Sequence, residues 1–253
     1  MIDTVRVTRY VTPLREGGSL PGIVEGDDLG TYVCKFRGAG QGVRVLVAEV
    51  IVSGLATRVG LRTPRLVALG LDPEIARYEA DEEVQDLLNA SAGLNLGIDF
   101  LSGAFGYEGE ASTPADIAAR VLWLDAFTAN VDRTWRNPNL LLWHGDVWVI
   151  DHGAALYFHH TWSAGVGDPA RFAAQPWDVG DHVFGAHVDL LPAVDARMDL
   201  TDGDLRDVVA EVPDAWLAPV PGLASPDELR SAYVAFLSAR LGTRAWLPEL
   251  NVA

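Results

Sequence analysis

Alternating apolar and polar residues open the chain and predict β structure over about the first 36 positions. Val5 and Val7 alternate with polar neighbours, Ile23 and Val24 form a short apolar pair, and residues 31–36 form a run rich in β-branched and aromatic side chains. A glycine-rich stretch and a turn rich in Asp and Gly separate these segments. The pattern therefore predicts short strands joined by turns.

The next segments change to a helical period. Residues 43–59 carry apolar side chains at i,i+4 spacing and stop at Gly60, which predicts a helix. Residues 62–71 have a strand-like apolar core, and an Asp-Pro pair begins a predicted helix over residues 72–89. Glycines punctuate residues 93–109, so we interpret this stretch as a linker.

The second half of the chain is dominated by helix signals. Residues 113–128 begin with Thr-Pro, a helix cap followed by proline at the first helical position. Two short apolar strands, 140–143 and 147–150, flank a His-Gly-Asp turn and predict a hairpin. The last hundred residues are predicted to be mostly helical, with caps at Thr201 and Ser225 that are each followed three residues later by an acid.

The composition is that of an ordinary globular protein of 253 residues, 49% hydrophobic and 21% charged. This length fits one large domain or two lobes of modest size. No apolar run approaches the roughly 18 residues of a membrane span, and the N-terminus lacks a secretion pattern, so we expect a cytoplasmic location. The net charge of −16 repels nucleic acid and anionic lipid, so neither nucleic acid nor a membrane is expected as a partner.

Lys35 is the only lysine among 19 basic residues, and the others are arginines. A compact ammonium on a slim stem fits crowded sites that a planar guanidinium does not. Lys35, near the end of a predicted strand, is therefore the first candidate for chemistry, with chance retention as the alternative. The single cysteine, Cys34, has no partner for an internal disulfide and is expected to be a small core residue.

Five residues, in chain order, supply the groups that kinase-type phosphoryl transfer from ATP needs. Lys35 is a candidate to neutralise the phosphates, and Glu49 in the predicted helix is a candidate to pair with it. Asp132 is a candidate to accept the proton of an attacking hydroxyl. Asn137 and Asp151 supply hard oxygen ligands that suit Mg²⁺.

Further residues are candidates for holding the nucleotide. Gly17, Gly18 and Ser19 belong to the glycine-rich stretch, where backbone N–H groups can approach phosphates. Ser19 has two alternatives, a phosphorylation site or a plain turn residue. Backbone groups near Phe100 and Leu101 are candidates to hold the adenine edge, by position alone. The stretch lacks the GxxxxGK[ST] pattern and is not a Walker P-loop.

Each candidate also has a structural interpretation. Glu25 competes with Glu49 as the partner of Lys35, and Asp132 with Arg133 is open to interpretation as an exposed ion pair. The asparagines and the Asp-His-Gly segment can be plain turn formers. The histidines match no strong zinc pattern, and the tryptophans are expected to serve packing. The ordered occurrence of all five groups in one chain favours function.

The stretch VDRTWRNPNLLL with VIDHG resembles the catalytic loop and metal-binding segment of the HipA-like and phosphoinositide-type branches of the protein-kinase-like superfamily. The stretch LREGGSLPGIVEGDDLGTYVCKFRGAGQG resembles the short HipA-related kinase domains more specifically. Together the similar segments cover about residues 14–158. The resemblance implies an α+β bilobal kinase fold with a small β-rich N-lobe, residues 1–101, and a mainly helical C-lobe, residues 102–253. It also implies ATP with Mg²⁺ and transfer of the γ-phosphate to a hydroxyl, with Ser or Thr of a protein as the expected acceptor.

Two departures from the family pattern keep other functions open. Thr134 stands where the family has His, and His152 stands where many lipid kinases have Phe. A pseudokinase that uses the same cleft as a nucleotide-gated binding module is therefore the first alternative. A lipid or small-molecule kinase is the second, and the acidic charge disfavours lipid.

Overall fold

The structure, a computed structural model, describes residues 1–14, 20–40, 42–109 and 113–248, and its N-terminal part contains a closed barrel of five strands. The strands are β1 (Thr4–Pro13), β2 (Gly22–Gly26), β3 (Thr31–Lys35), β4 (Leu66–Leu71) and β5 (Gly93–Asp99). Around the barrel they lie in the order β1-β2-β3-β5-β4, and only the β1–β4 pair is parallel. Closure pairs every strand on both sides.

The two faces of the barrel wall pack against different parts of the protein. Cys34 is fully buried in the core inside the barrel, with Val24 and Leu69, as expected for a small core residue. Side chains alternate across a strand, so Lys35 faces the other side of β3. Its register partner Leu96 belongs to the core shared with the helices. The period of the strand therefore directs Lys35 out of the barrel and toward the helical part.

The predicted helix over residues 43–59 is confirmed as α1 (Val43–Arg58), which ends one residue early. Every residue from 46 to 53 is buried, including Glu49. A helix that is apolar on all sides belongs in the interior, and here α1 contributes to the core that joins the barrel wall to the helical part. Burial on all sides outweighs the modest helix-forming tendency of its β-branched residues.

The predicted single helix over residues 72–89 is wrong, because the chain forms two shorter helical segments there. A 3₁₀ helix spans Pro73–Tyr78, and α2 (Glu82–Ala90) follows after a break. Asp81 accounts for the break, because its side chain accepts hydrogen bonds from two N–H groups of the next turn and caps a new helix.

The predicted linker over residues 93–109 is wrong in its first half, where β5 lies between β3 and β4. A Cβ at Gly97 would lie 2.7 Å from the side chain of Leu69. This position in the barrel wall has no room for a side chain, so the glycine that suggested a linker is required there for packing.

The C-terminal part is mainly helical, which confirms the predicted α+β class. It begins with α3 (Ala115–Thr128) and a hairpin of β7 (Leu140–Trp143) and β8 (Asp146–Val149), and β6 (Phe105–Gly106) pairs with β7. The described residues also form the α-helices α4 (Pro169–Ala174), α5 (Leu191–Asp195), α6 (Asp202–Ala210) and α7 (Pro226–Thr243). The described residues include no helix with the length and apolar character that a membrane span needs. The division into lobes after residue 101 stays a prediction.

Helix caps in this part follow the sequence, with one exception. Capping boxes at Thr201 and Ser225 are confirmed, since each side chain accepts from the N–H three residues on and an acid there returns the contact. The start of α3 differs, because Pro114 precedes its first residue and no side chain caps it. Thr113 instead donates its hydroxyl to the Tyr107 hydroxyl at 3.3 Å.

A buried histidine makes the stability of this part depend on pH. His159 is fully buried, and its Nδ1 lies 3.0 Å from the Tyr233 hydroxyl. Burial holds the pKa of His159 well below its ordinary value of 6.5. As the pH falls below that value, the unfolded chain takes up a proton at this position while the folded protein keeps the ring neutral. The stability present above the unfolded pKa is therefore lost as the pH falls.

We expect this one group to lower the free energy of unfolding by up to about 1.4 kcal/mol per pH unit below 6.5. His159→Gln should remove that part of the slope, because glutamine does not titrate and still offers Tyr233 a hydrogen-bonding partner. Denaturant unfolding of both proteins from about pH 8 down to about pH 5 measures the difference in slope. Parallel curves would contradict the prediction.

Candidate active site

A cavity of about 250 Å³ opens where β3, the amino end of α1 and the segment after β8 meet. Three residues that the sequence singled out line it: Lys35, Asp132 and Asp151. The loop before α1 contributes Gly40 and Gly42. This second glycine-rich segment belongs to the stretch that resembles the family, but the sequence pattern gave it no predicted role at the site, although its three glycines before a helix were a signal.

Lys35 forms the centre of the polar wall. Its Nζ donates to Oε1 of Glu49 and, at 2.7 Å, to Oδ1 of Asp151. The Lys35 side chain is 12% exposed and that of Glu49 only 1%. Glu25, the alternative partner, lies instead beside Arg9 at 3.6 Å. The helix-borne glutamate is therefore the one that contacts the lysine.

One ammonium facing two carboxylates determines the charge of this cluster. Burial acts to lower the pKa of Lys35, but the charges of Glu49 and Asp151 outweigh it and raise that pKa. Burial raises the pKa of Glu49 despite its contact with Lys35. Burial also acts to raise the pKa of Asp151, but Lys35 outweighs it and lowers that pKa. Lys35 is thus held charged, and Asp151 is the more readily ionised carboxylate.

The hairpin delivers Asp151 to the cavity. The two-residue turn places His144 and Gly145 at φ of 51° and 84°, as a tight hairpin turn requires. Because the turn has two residues and not three, β8 begins and ends one residue earlier than predicted. Asp151 follows at φ 54°, with its side chain 48% exposed. A Cβ at Gly153 would lie 2.6 Å from Val45, so the glycine lets the Asp-His-Gly segment pack closely against α1.

Asp132 is held by two asparagine amides. Its Oδ2 accepts from Nδ2 of Asn137 at 2.9 Å and from Nδ2 of Asn139 at 3.2 Å. Among the described residues no donor contacts its other oxygen, Oδ1. Sequence analysis placed Asn139 only as a turn former, although its position two residues after Asn137 was visible. The carboxylate is therefore oriented through one oxygen, Oδ2.

Thr134 closes the turn of this loop. Its Oγ1 accepts from the N–H of Asn137 at 3.2 Å, and its own N–H lies 3.1 Å from the carbonyl oxygen of Asn137. Its hydroxyl is thus engaged within the loop.

The alternative of an exposed Asp132–Arg133 ion pair is wrong, because Arg133 is buried. Its Nε donates to Oδ2 of Asp125 on α3 at 2.6 Å. His182, from the loop that precedes the 3₁₀ helix Gly185–Leu190, contacts the same oxygen at 2.9 Å. From the sequence, Asp125 has no predicted role, and His182 is weighed only among the histidines that match no strong zinc pattern. The signal for Asp125 was an acid inside the apolar run of α3.

Of the remaining predicted residues, the structure describes Phe100 and Leu101 but not the three of the glycine-rich stretch. Phe100 and Leu101 follow β5, and the N–H of Phe100 donates to the carbonyl of Thr31 at 3.0 Å. Neither residue lines the cavity. Gly17, Gly18 and Ser19 lie outside the described residues, so their predicted contact with phosphates stays a prediction.

The donor set around the cavity suits a metal bound jointly with a phosphate. Within the described part of the chain, no group of three or more His, Cys, Asp or Glu side chains is arranged to hold a metal ion. Asp151 lines the cavity and offers a carboxylate, whereas Asn137 does not line it but contacts Asp132 at its wall and offers an amide oxygen. Carboxylate and amide oxygens are the hard ligands that Mg²⁺ takes together with phosphate oxygens and water. The residues present therefore fit Mg²⁺ as a partner of a nucleotide.

Comparisons with known proteins find a family model and similar solved structures. Residues 7–235 match the family model described as HipA-like kinase. Among solved structures, the proinflammatory kinase CtkA of Helicobacter pylori has 11% identity and a TM-score of 0.46, with 97% of this chain and 98% of that chain covered. Two structures of the Golgi casein kinase, one with Mn/ADP bound, have 11% identity, TM-scores of 0.42 and 0.43, and coverage of 96% of this chain and 74% of theirs. No curated protein matches the sequence.

Proposed function

The chain belongs to the HipA-like kinase family, and from that premise we propose that it transfers the γ-phosphate of ATP to the hydroxyl of a serine or threonine in a protein. One observation carries the proposal. The only lysine of the chain contacts Glu49 and Asp151 at the wall of a cavity that Asp132 also lines. Kinase chemistry needs a lysine on the phosphates and an aspartate facing the hydroxyl in one cleft.

Lys35 is proposed to bind the α and β phosphates. Glu49 is buried and supplies a fixed partner, which holds the flexible lysine stem in one position before ATP arrives. The amino end of α1, beside Gly42, adds N–H groups to the same wall.

Asp132 is proposed to orient the acceptor hydroxyl and take its proton. The acceptor oxygen then forms a bond to the γ-phosphorus, the bond from that phosphorus to the β–γ bridging oxygen breaks, and ADP leaves with the electron pair. The amides of Asn137 and Asn139 hold Oδ2, which leaves Oδ1 of Asp132 for the hydroxyl. Asn137 donates through Nδ2, so its Oδ1 would remain for a metal while both amides hold Asp132.

Asn137 and Asp151 are proposed to hold Mg²⁺ on the phosphates. When bound, the ion neutralises the negative charge of the β and γ phosphates. The carboxylate of Asp151 is half exposed and its pKa is lowered by Lys35, so it stays ionised, the form a metal requires.

A protein segment is the proposed acceptor because apolar side chains flank the catalytic loop at the surface. Val131 is 66% exposed and Trp135 is 58% exposed. A second cavity of about 560 Å³, lined in part by Val131, Thr134 and Trp177, lies beside the same loop. Exposed apolar groups next to a cavity suit contact with an extended peptide chain.

A nucleotide-gated pseudokinase is the second candidate, and Thr134 favours it. Threonine carries no positive charge, so this position offers no cation to the transferred phosphate, and its hydroxyl is already engaged within its own loop. ATP binding with no transfer to any acceptor would favour this candidate over the first.

The test of the proposed function is magnesium-dependent ATP binding and turnover, with Asn137→Ala as the informative variant. We expect the variant to lose about 10- to 100-fold in turnover at limiting Mg²⁺, because one metal ligand is gone, and to recover part of the loss in excess Mg²⁺. Asn89→Ala, on an exposed position of α2, is the control and should match wild type. A wild-type protein that binds no ATP at millimolar concentration would end the proposal.

A further inference from the structure

A buried carboxylate below the catalytic loop collects three hydrogen bonds. Asp125 is fully buried, and its Oδ2 accepts from Nε of Arg133 at 2.6 Å and from Nε2 of His182 at 2.9 Å. Its Oδ1 accepts from Nδ2 of Asn130 at 2.9 Å. Burial acts to raise the pKa of Asp125, but Arg133 and His182 outweigh it and lower that pKa. A buried ion pair needs this many partners to persist.

The guanidinium of Arg133 ties together the two segments that carry the candidate aspartates. One Nη1 bond goes to the carbonyl of Ile150 at 3.1 Å, and Nη2 lies 3.1 Å from Nδ1 of His152. These two residues flank Asp151, while Arg133 itself follows Asp132 in the chain. The orientation of this guanidinium therefore determines the distance between Asp132 and Asp151.

A second route runs from Asp125 to the same loop. Asn130, which donates to Asp125, accepts through its Oδ1 from the N–H of Asp132 at 3.1 Å. The indole Nε1 of Trp177 donates to the carbonyl of Asn130 at 2.7 Å. The position of Asp125 is thus transmitted to the backbone of Asp132 through Asn130 as well as through Arg133.

His182 completes the arrangement from a distant segment. Its Nδ1 accepts from the N–H of Phe184 at 3.1 Å, so a neutral ring with its proton on Nε2 satisfies both contacts and donates to Asp125. The N–H groups of Trp135 and Val183 donate across the boundary between this segment and the catalytic loop, at 3.1 and 3.2 Å. The ring is therefore held on both sides.

We propose that His182 is a positioning residue for phosphoryl transfer. It does not line the cavity that Lys35, Asp132 and Asp151 share, although it borders the second cavity beside the catalytic loop. It acts by fixing Asp125, which fixes Arg133 and hence the spacing between Asp132 and Asp151. The inference rests on the proposed function and adds to it a residue from outside the catalytic loop and the metal-binding segment.

The experiment compares two variants of His182. His182→Phe keeps a ring but removes the donor, and we expect kcat to fall about 10- to 100-fold while KM for ATP changes less than about twofold. His182→Gln keeps an N–H donor for Asp125 and should stay within about fivefold of wild type. His187→Phe changes a histidine of the neighbouring 3₁₀ helix and is the matched control. Thermal unfolding identifies the variants that are folded at the assay temperature.

A second variant tests the inference if His182→Phe does not fold. Asp125→Asn keeps the shape of the side chain and should show the same loss in kcat with an unchanged KM. The double variant with His182→Phe should lose little more kcat than the more impaired single variant, because both substitutions act through the same contacts. Wild-type kcat in a folded His182→Phe variant would overturn the inference, as would equal losses of kcat in the Phe and Gln variants. Either result, obtained with an active wild type, leaves the proposed function intact. An inactive wild type would overturn the proposed function itself.

Discussion

Replacing Asp132 by Asn is expected to lower phosphate transfer by about 10³-fold while ATP binding stays within about twofold of wild type. The amide has the shape of the carboxylate and can still accept from Asn137 and Asn139, but it cannot take the proton of an acceptor hydroxyl. Lys35 and Asp151 keep their contact, so the proposed phosphate and metal ligands are unchanged. Transfer to a model protein and nucleotide affinity, measured side by side, separate the two effects.

The matched control for this variant is Asp86→Asn, which makes the same chemical change on an exposed position of α2. It should transfer phosphate at the wild-type rate. Asp132→Asn with undiminished transfer would show that another group receives the hydroxyl proton. A wild-type protein that binds ATP but transfers phosphate to no acceptor, including itself, would establish the pseudokinase alternative.

Replacing Lys35 by Met is expected to abolish measurable transfer and to lower the free energy of unfolding by about 3–5 kcal/mol, because Glu49 stays buried without its cation. Methionine keeps a slim, flexible stem of similar length, so lost packing contributes little. Denaturant unfolding near neutral pH gives the stability, and ATP titration gives the affinity, which should also fall.

A double variant separates the structural role of the pair from its chemical role. Lys35→Met with Glu49→Gln removes the unpaired buried charge, so most of the lost stability should return while transfer stays absent. Arg77→Met, which removes an exposed cation paired with Glu74, is the control and should cost no more than about 1 kcal/mol. A double variant as unstable as Lys35→Met alone would mean that the pair does not account for the stability loss.

The local sequence pattern was sufficient to predict structure wherever a residue's conformation depends only on its own turn or strand. The capping boxes at Thr201 and Ser225 follow from an acid three residues after a hydroxyl, and α1 follows from its helical period. The same reasoning identified Lys35 as unusual from composition alone. Local pattern failed at β5, because Gly97 means a flexible linker in isolation and a tight contact with Leu69 once the barrel closes.

Sequence by itself determined the chemical inventory: one lysine, a helix-borne glutamate, and an ordered set of Asp, Asn and Asp on two loops. Only the tertiary structure decided which of these side chains meet. The contact of Lys35 with Asp151 spans 116 positions, and that of Asp125 with His182 spans 57. Such pairings depend on how the barrel, α1 and α3 pack at the same time. Because burial makes an unpaired charge costly, that packing, and not the local pattern, selects each partner.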